Sequence, residues 1–439
     1  MDTSEDPLLP QVHGPIPRDR FHLVYLIFYL LGLGSLAPWN FFITASEYFK
    51  YKLRNTTQPE TEYLDPHYET ELQAMFESYL VVANTIPNLA FNFITALIIQ
   101  RICLKTRMIF SLVLVILMFV LTVSLVKIDT DTWQSVFFSV TLVTAVLISS
   151  GGSILGASLF GLASLFPSQY VQATMTGQAM GGVFAAVANL VTLAIGSHVV
   201  DSGLVFFMFA VFMAVLTFIG YGCLYCIGYS KYHILEIGST IAIDVNSHED
   251  DVNYIDPDHG CSYYINILKK VWKEGLSVCF VFLVTLSCFP AITSSIVTVE
   301  KTPTEWSEKY FSALVCFLLF NCGDWSGRSV AGSVQWPKYG QSNILLVFSV
   351  LRVVFIPLLM FCNAQPRTSP VLFNKDWCPV VFILLLGLTN GYFGTLAMMY
   401  GPRRVPPEKA ESTGAMMSTF LTTGLVSGSL IAILLMKSL

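Results

Sequence analysis

Charge is what this sequence has least of. Only 12% of its 439 residues are Asp, Glu, Lys or Arg, while 54% are apolar. A soluble chain carries roughly 25% charged residues, and half that share could not furnish a wetted surface of ordinary composition. With a mean hydropathy of +0.63, the shortage makes lipid the solvent. Basic excess is missing as well. The net charge of −5 excludes the electropositive footprint of a nucleic-acid-binding protein, so no nucleic acid is expected as a partner. No metal-ligand cluster, HExxH motif or Ser/His/Asp set is legible, so no metal, cofactor or catalytic residue is expected and an enzyme is the least favoured class. The ten cysteines lie mostly inside apolar runs rather than at framework spacings, which argues against a disulfide scaffold. Cys223-Leu-Tyr-Cys226 has CxxC spacing but ends an apolar helix, and reads as two buried thiols.

What is present is a series of apolar windows, each near the ~20 residues a membrane helix needs. Eleven qualify: 21–45, 78–99, 108–127, 136–165, 172–197, 203–228, 276–298, 309–334, 343–363, 378–400 and 412–436. The chain therefore reads as an all-α membrane protein of 11 transmembrane helices. Residues 1–20 form a polar, proline-rich cytosolic tail without a signal-peptide core, so the first span is expected to act as its own signal anchor. A charged linker at 229–275, with the run Glu249-Asp250-Asp251, divides a six-helix bundle (21–228) from a five-helix bundle (276–439). This 6+5 division resembles the two-bundle, major-facilitator arrangement, in which substrate is held near the midplane between halves. No sequence repeat between the halves is legible.

Lysines and arginines are more numerous in the loops that lie on the side of the N-terminus, which places that side in the cytosol. Asn55-Thr56-Thr57 is the only N-glycosylation sequon, and it falls in the first loop (46–77), on the lumenal or extracellular side. An odd number of spans then leaves the C-terminus on that side too.

Nearly all charges sit in loops. Two exceptions share the eighth window, where Asn321, Asp324 and Arg328 fall on one helix face, with Phe317 a turn earlier. A charge at mid-bilayer costs about 2.5–3.5 kcal/mol on insertion scales. Pairing lowers that cost, but two leucines would remove it. The pair reads as a polar site on an aqueous path or as an ion pair that fixes packing, and the two roles are compatible. Arg352 in the ninth window has no acidic residue at helical spacing. It must find a partner on another helix or snorkel to the cytosol, as a structural residue or part of a gate. In the first window, Pro38-Trp39-Asn40 frees a backbone carbonyl and offers an indole face. Gln178, within a glycine-rich stretch of the fifth window, carries an amide able to pair with a nucleobase edge or with another helix. Asn390 in the tenth reads as interhelical glue. These groups suit a ligand with an aromatic face, amide-like edges and hydroxyls. Trp39, Phe289 and Phe317 could stack on it, Gln178 read an edge, and Asp324 and Arg328 hold hydroxyls. A nucleoside fits, and a sugar fits in part.

Leu36-Ala-Pro38-Trp39-Asn40-Phe-Phe, Gly177-Gln178, Asn321-x-x-Asp324-Trp-x-Gly327-Arg328, Asn390-Gly391-Tyr392 and Glu411-x-x-Gly414-Ala-Met together resemble the equilibrative nucleoside transporter family. The resemblance runs from about residue 18 to the end. It implies facilitated, sodium-independent transport of purine and pyrimidine nucleosides by alternating access, without a cofactor or an obligate protein partner. It also implies that Trp39, Gln178, Asp324 and Arg328 line the site, with Leu36, Phe289, Phe317 and Asn321 beside them, and that Arg352, Asn390 and Glu411 act in a gate or in packing. Phe41-Phe-Ile-Thr-Ala-x-Glu47-Tyr and Phe76-Glu-Ser-Tyr79 look most similar to the endolysosomal branch, whose acidic dileucine signal is reduced here to Ser4-Glu-Asp-Pro-Leu8-Leu9. Either the plasma membrane or a late endosomal or lysosomal membrane is therefore expected. The rival readings are a carrier of nucleobases or another organic solute and, in a different class, a multispan receptor.

Overall fold

The computed structural model describes residues 17–57, 70–195, 199–236, 261–299, 304, 310–365 and 370–438. The dileucine at 8–9 and the acidic run at 249–251 lie outside the described residues. The described chain is helical, with isolated β-bridges only. Its long elements are α1 (Leu23–Thr44), α2 (Glu71–Ile98), α3 (Leu104–Val126), α4 (Gln134–Ser164), α5 (Ser168–Ile195) and α6 (Val199–Leu224). They continue with α7 (Cys261–Cys288), α8 (Leu319–Ser333), α9 (Ser342–Leu351), α10 (Trp377–Tyr400) and α11 (Ala410–Ser438). A stretch of wide π-type turns, Ser312–Leu318, leads into α8. A 3-10 turn, Arg352–Val354, carries α9 on into a short helix, Phe355–Met360.

Among the described residues, ten helical segments are long and apolar enough to cross a membrane. The Ser312–Ser333 segment is not one of them, although it is helical throughout and occupies the eighth predicted window. The physical reason is its own polar content: Asn321, Asp324 and Arg328 lie within it. Helix starts are set by local chemistry. Asp19 precedes α1 and its carboxylate accepts from the Val24 and Tyr25 amides at 3.0 and 3.2 Å, satisfying donors of the first turn. Thr70 and Gln73 form a reciprocal capping box at the start of α2.

The helices pack in a pattern that repeats after six elements. α1 lies along α5 as α7 lies along α11, and α2 lies along α4 as α8 lies along α10. Backbones meet closely at these crossings. A Cβ on Gly32 or Gly177 would collide with the carbonyl oxygens of Thr174 and Tyr29 across α1–α5. One on Gly327 or Gly391 would collide with those of Leu388 and Asp324 across α8–α10. Small residues permit the close contact that drives helix association in lipid.

Three large apolar clusters fill the bundle. The first draws on every long helix but α2, through residues such as Phe28, Met108, Phe160, Tyr170, Leu224, Val281, Ala331, Leu345, Tyr400 and Met417. It lies at the end where α1, α3, α5, α7, α9 and α11 begin. The second, around Phe42, Phe49, Phe76, Phe119 and Phe207, belongs to the first six helices alone. The third, around Ile292, Val315, Phe320, Leu359 and Ile383, belongs to the remainder alone.

Two boundaries differ from expectation. α7 begins at Cys261, well ahead of the apolar window starting at 276, because its first four turns are amphipathic rather than uniformly apolar. The ninth window is interrupted at Arg352 by the 3-10 turn. The two thiols of Cys223-Leu-Tyr-Cys226 are exposed on the bundle surface, not buried. An apolar helix in a membrane protein turns much of its surface to lipid, so hydrophobicity there does not signal burial in protein.

Candidate functional site

Asp324 and Arg328, one turn apart on α8, are both buried. Arg328 donates from Nε to Oδ2 of Asp324 at 3.0 Å, and its Nη2 lies 2.9 Å from the same oxygen in an ion pair. Its remaining terminal nitrogen, Nη1, crosses to the first half of the molecule and donates to the Met175 carbonyl of α5 at 2.9 Å. Gln172, a turn earlier on α5, returns a hydrogen bond to the Arg328 carbonyl at 3.2 Å and accepts from the Tyr25 hydroxyl of α1 at 2.9 Å. Trp325 adds a bond from its indole N–H to the Tyr29 hydroxyl at 3.1 Å. The charged turn of α8 is thus tied to α1 and α5 by three hydrogen bonds at the seam between the halves, and the Tyr25–Gln172 bond joins α1 to α5 behind them.

The other oxygen of Asp324 accepts from the Asn390 amide of α10 at 2.7 Å. The Asn390 carbonyl accepts from the Thr285 hydroxyl of α7 at 2.7 Å. That hydroxyl accepts in turn from Nη2 of Arg352 at 2.8 Å. Arginine can only donate and a carboxylate can only accept, so the direction of every bond from Arg352 to Asp324 is fixed by its two ends. Arg352 also donates to Thr389, to the Leu386 carbonyl and to the Val281 carbonyl. The Val281 bond matters for the chain. The Thr285 hydroxyl also lies 2.9 Å from the Val281 carbonyl. Because the guanidinium serves that carbonyl too, the single Thr285 proton can turn to the Asn390 carbonyl without leaving Val281 unsatisfied. Buried polar groups are costly unless satisfied, and here each donor has an acceptor. Arg352 neither snorkels nor meets a carboxylate directly. Its hydrogen-bond partners are hydroxyls and backbone carbonyls.

The other predicted site residues are less closely joined. Asn321, one turn above Asp324, bonds back to the Phe317 carbonyl at 2.8 Å, and its side-chain oxygen lies against Gly182 of α5. Gln178 is buried and donates to the Ser35 hydroxyl of α1 at 3.2 Å, so the amide is oriented within the first half rather than toward Arg328. Trp39 is half-buried, with its ring parallel to that of Phe42 at 6.0 Å. Leu36, three residues before it, is exposed. Phe289 stacks on Phe320 at 3.9 Å between ring centres, with Phe317 edge-on at 5.7 Å. One face of Phe289 is therefore already covered. The sequon Asn55 accepts from the Thr57 hydroxyl at 2.7 Å in an exposed turn.

Sequence reasoning missed a second inter-half tie. Arg107, placed by sequence in a loop, is buried in the first turn of α3. It pairs with Glu411 of α11 and donates to Ser158 of α4 at 3.3 Å. Nothing distinguishes Arg107 from its neighbours Arg101 and Lys105 in the sequence alone. The Met175 carbonyl was equally out of reach, since a backbone acceptor leaves no residue-type signal.

A model of the family described as nucleoside transporter matches residues 142–437. Equilibrative nucleoside transporter 3 of Rattus norvegicus is 39% identical over 95% of this chain and 90% of its own length. Equilibrative nucleoside transporter 1 of Homo sapiens is 34% identical over 95% of this chain and 98% of its own length. Among solved structures, the major facilitator superfamily transporter FucP, in its outward conformation, superposes with a TM-score of 0.57 at 11% identity, covering 96% of this chain and 97% of that one. That likeness establishes a shared major-facilitator fold. The agreement of sequence along nearly the whole chain establishes descent: the chain belongs to the equilibrative nucleoside transporter family.

Proposed function

We propose that this multi-pass membrane protein moves purine and pyrimidine nucleosides down their concentration gradients by alternating access. The observation that carries the proposal is the buried Asp324–Arg328 pair, held across the seam between two helical bundles by the Met175 carbonyl. A charged, multiply bonded group at such a seam is the kind of site that a hydroxyl-rich solute can reach by exchanging protein hydrogen bonds for its own. Trp39, Gln178, Asp324 and Arg328 are assigned to the site, with Leu36, Phe289, Phe317 and Asn321 around it.

The same proposal takes Ser312–Ser333 as an eleventh span and divides the chain six plus five. The six-element repeat in helix packing supports this division. It sets the N-terminus in the cytosol, with the C-terminus and a glycosylated Asn55 outside or in the lumen. The membrane is the plasma membrane or that of late endosomes and lysosomes. In this orientation the shared apolar cluster and the Arg107–Glu411 pair close the cytosolic end, while the two separate clusters flank a path from the opposite side.

Uptake into proteoliposomes tests the reading. Radiolabelled uridine and adenosine should enter saturably without sodium, stop at equal concentrations on both sides, and compete with each other. A pH gradient imposed across the membrane would expose any influence of protons. Uphill accumulation driven by an ion gradient, or uptake of nucleobases to the exclusion of nucleosides, would overturn it.

A further inference from the structure

Away from the seam, a polar cavity of about 250 Å³ opens at the end of the bundle where α7 and α9 begin. Lys269, Lys270 and Lys273 of α7 and Arg404 line it, together with a single carboxylate, Glu274. That carboxylate is already engaged. Glu274 is 1% exposed, accepts from Nε of Arg404 at 2.8 Å and from the Ser342 hydroxyl at 2.6 Å. Arg404 is held further by the Tyr339 carbonyl at 2.7 Å and lies over the Tyr339 ring. None of the three lysines pairs with a carboxylate among the described residues.

A second feature points into the same space. α9 starts at Ser342 with no side-chain cap, and the amides of Ser342 and Asn343 have no acceptor among the described residues. Ser342 and Asn343 both line the cavity. Uncapped first-turn amides carry the positive end of the helix dipole, so backbone and side chains favour the same sign of ligand. A third feature says where the cavity sits. Ile265, Leu268 and Trp272, at helical spacing along α7, are 43%, 40% and 43% exposed, an apolar stripe directly beside the lysines. Apolar side chains facing outward next to lysines, with a tryptophan at their boundary, mark the level of lipid headgroups.

We propose that this pocket binds the phosphorylated headgroup of an anionic lipid, with the acyl chains descending past Trp272 along the apolar turns of α7 that follow it, from Leu276 onward. Basic pockets between membrane helices at the cytosolic surface recognise such headgroups through several ammonium groups at once. A soluble polyphosphate shares the headgroup chemistry but has no acyl chains to lay against α7. The acidic linker that precedes α7 in sequence is the competing occupant within the chain.

The test uses the purified full-length protein in detergent. Its thermal stability is titrated with dioctanoyl phosphatidylinositol 4,5-bisphosphate, with dioctanoyl phosphatidylcholine and with inositol 1,4,5-trisphosphate. The bisphosphate lipid should stabilise the protein saturably, phosphatidylcholine should not, and the soluble trisphosphate should bind at least tenfold more weakly than the lipid. Changing Lys269, Lys270 and Lys273 together to Gln should weaken lipid binding about a hundredfold. Changing Lys127 to Gln, an exposed lysine at the opposite end, should leave it unaltered. The lysines are on the protein surface, so the triple variant should keep its unliganded melting temperature. Should it not fold, the single changes Lys269→Gln and Lys270→Gln must each weaken binding severalfold. Equal lipid binding by the variants and the unaltered chain would overturn the proposal. So would a trisphosphate that binds as tightly as the lipid. Lipid binding that appears only after Glu249, Asp250 and Asp251 are neutralised would assign the pocket to the linker instead.

Discussion

The two ends of the bundle are held by different means. At the end where α1 and α7 begin, one apolar cluster runs through both halves, and Arg107 of the first half pairs with Glu411 of the second. The Tyr264 hydroxyl of α7 adds a bond to the Leu97 carbonyl of α2 at 2.7 Å. At the other end each half keeps its own cluster and no such ties are found among the described residues. Between these ends sits the Arg328–Met175 bond. At the far end Ser312–Leu318 lies against α5 without a shared apolar cluster, so under the proposed alternating access the far end is the one expected to part first. What the contrast teaches is that a carrier's state can be read from which clusters cross its seam. The apolar content of the two ends is similar, and only the division differs.

The largest expected effect comes from striking the boundary between the ends. Asp324→Asn or Arg328→Gln strands one buried charge, at about 3–5 kcal/mol, and should abolish nucleoside uptake and lower folded yield. The double variant strands none. It should recover folded yield without recovering transport. Uptake normalised to monodisperse protein checks this, and near-normal transport by the double variant would reduce the pair to packing.

Next in size is the near end. Glu411→Gln removes one partner of a charge-assisted bond, worth ~2 kcal/mol, or about a 30-fold shift toward separation of the halves. Hydrogen exchange should accelerate in residues 263–271 and 408–417 while the far-end helices are unaffected. Equal acceleration at both ends would mean that Arg107–Glu411 supports the fold generally rather than closing one end.

The hydroxyl of Thr285 separates orientation from bulk. Thr285→Val keeps shape but breaks the chain from Arg352 to Asn390, leaving the Asn390 carbonyl without its donor and the amide held by Asp324 alone. A single buried bond of ~1–1.5 kcal/mol corresponds to about a tenfold rise in KM for uridine, with Vmax nearly kept. Thr285→Ser should restore it. A variant in which Vmax alone falls would place Thr285 in the motion between states instead.

Much of this was legible beforehand, and the exceptions share a cause. The ten long apolar helices, their order and the buried pairing of Asp324 with Arg328 follow from the rarity of charge in an apolar chain, because each departure from that rule is visible in one dimension. Asn390 was visible for the same reason, but its place between Asp324 and Thr285 was not, since it depends on which helices cross. Arg107 looked like any loop arginine because the sequence does not say where a helix enters the bundle. Cys223 and Cys226 were misjudged because in lipid an apolar face can be a surface. The amphipathic start of α7 was taken for linker because its lysines dilute the apolar window.

The smallest expected effect concerns the far side of the seam, where Gln178 donates to Ser35 at 3.2 Å. The bond lies between α1 and α5, which already pack backbone to backbone around Gly177. Two roles for the amide make different predictions. If Gln178 only joins the helices, Ser35→Ala and Gln178→Ala remove the same single bond and should be equally mild, within about threefold in uridine KM. If the amide also pairs with a base edge, Gln178→Ala loses that contact while Ser35→Ala frees the amide to make it. The expected outcome is a five- to tenfold rise in KM for Gln178→Ala, in keeping with ~1 kcal/mol or more for a hydrogen bond to ligand. It should be unequal between uridine and adenosine, whose edges present different donors and acceptors. Ser35→Ala should stay near the unaltered value for both. Identical behaviour of the two variants toward both nucleosides would return Gln178 to the helix contact and leave base recognition to other residues of the seam.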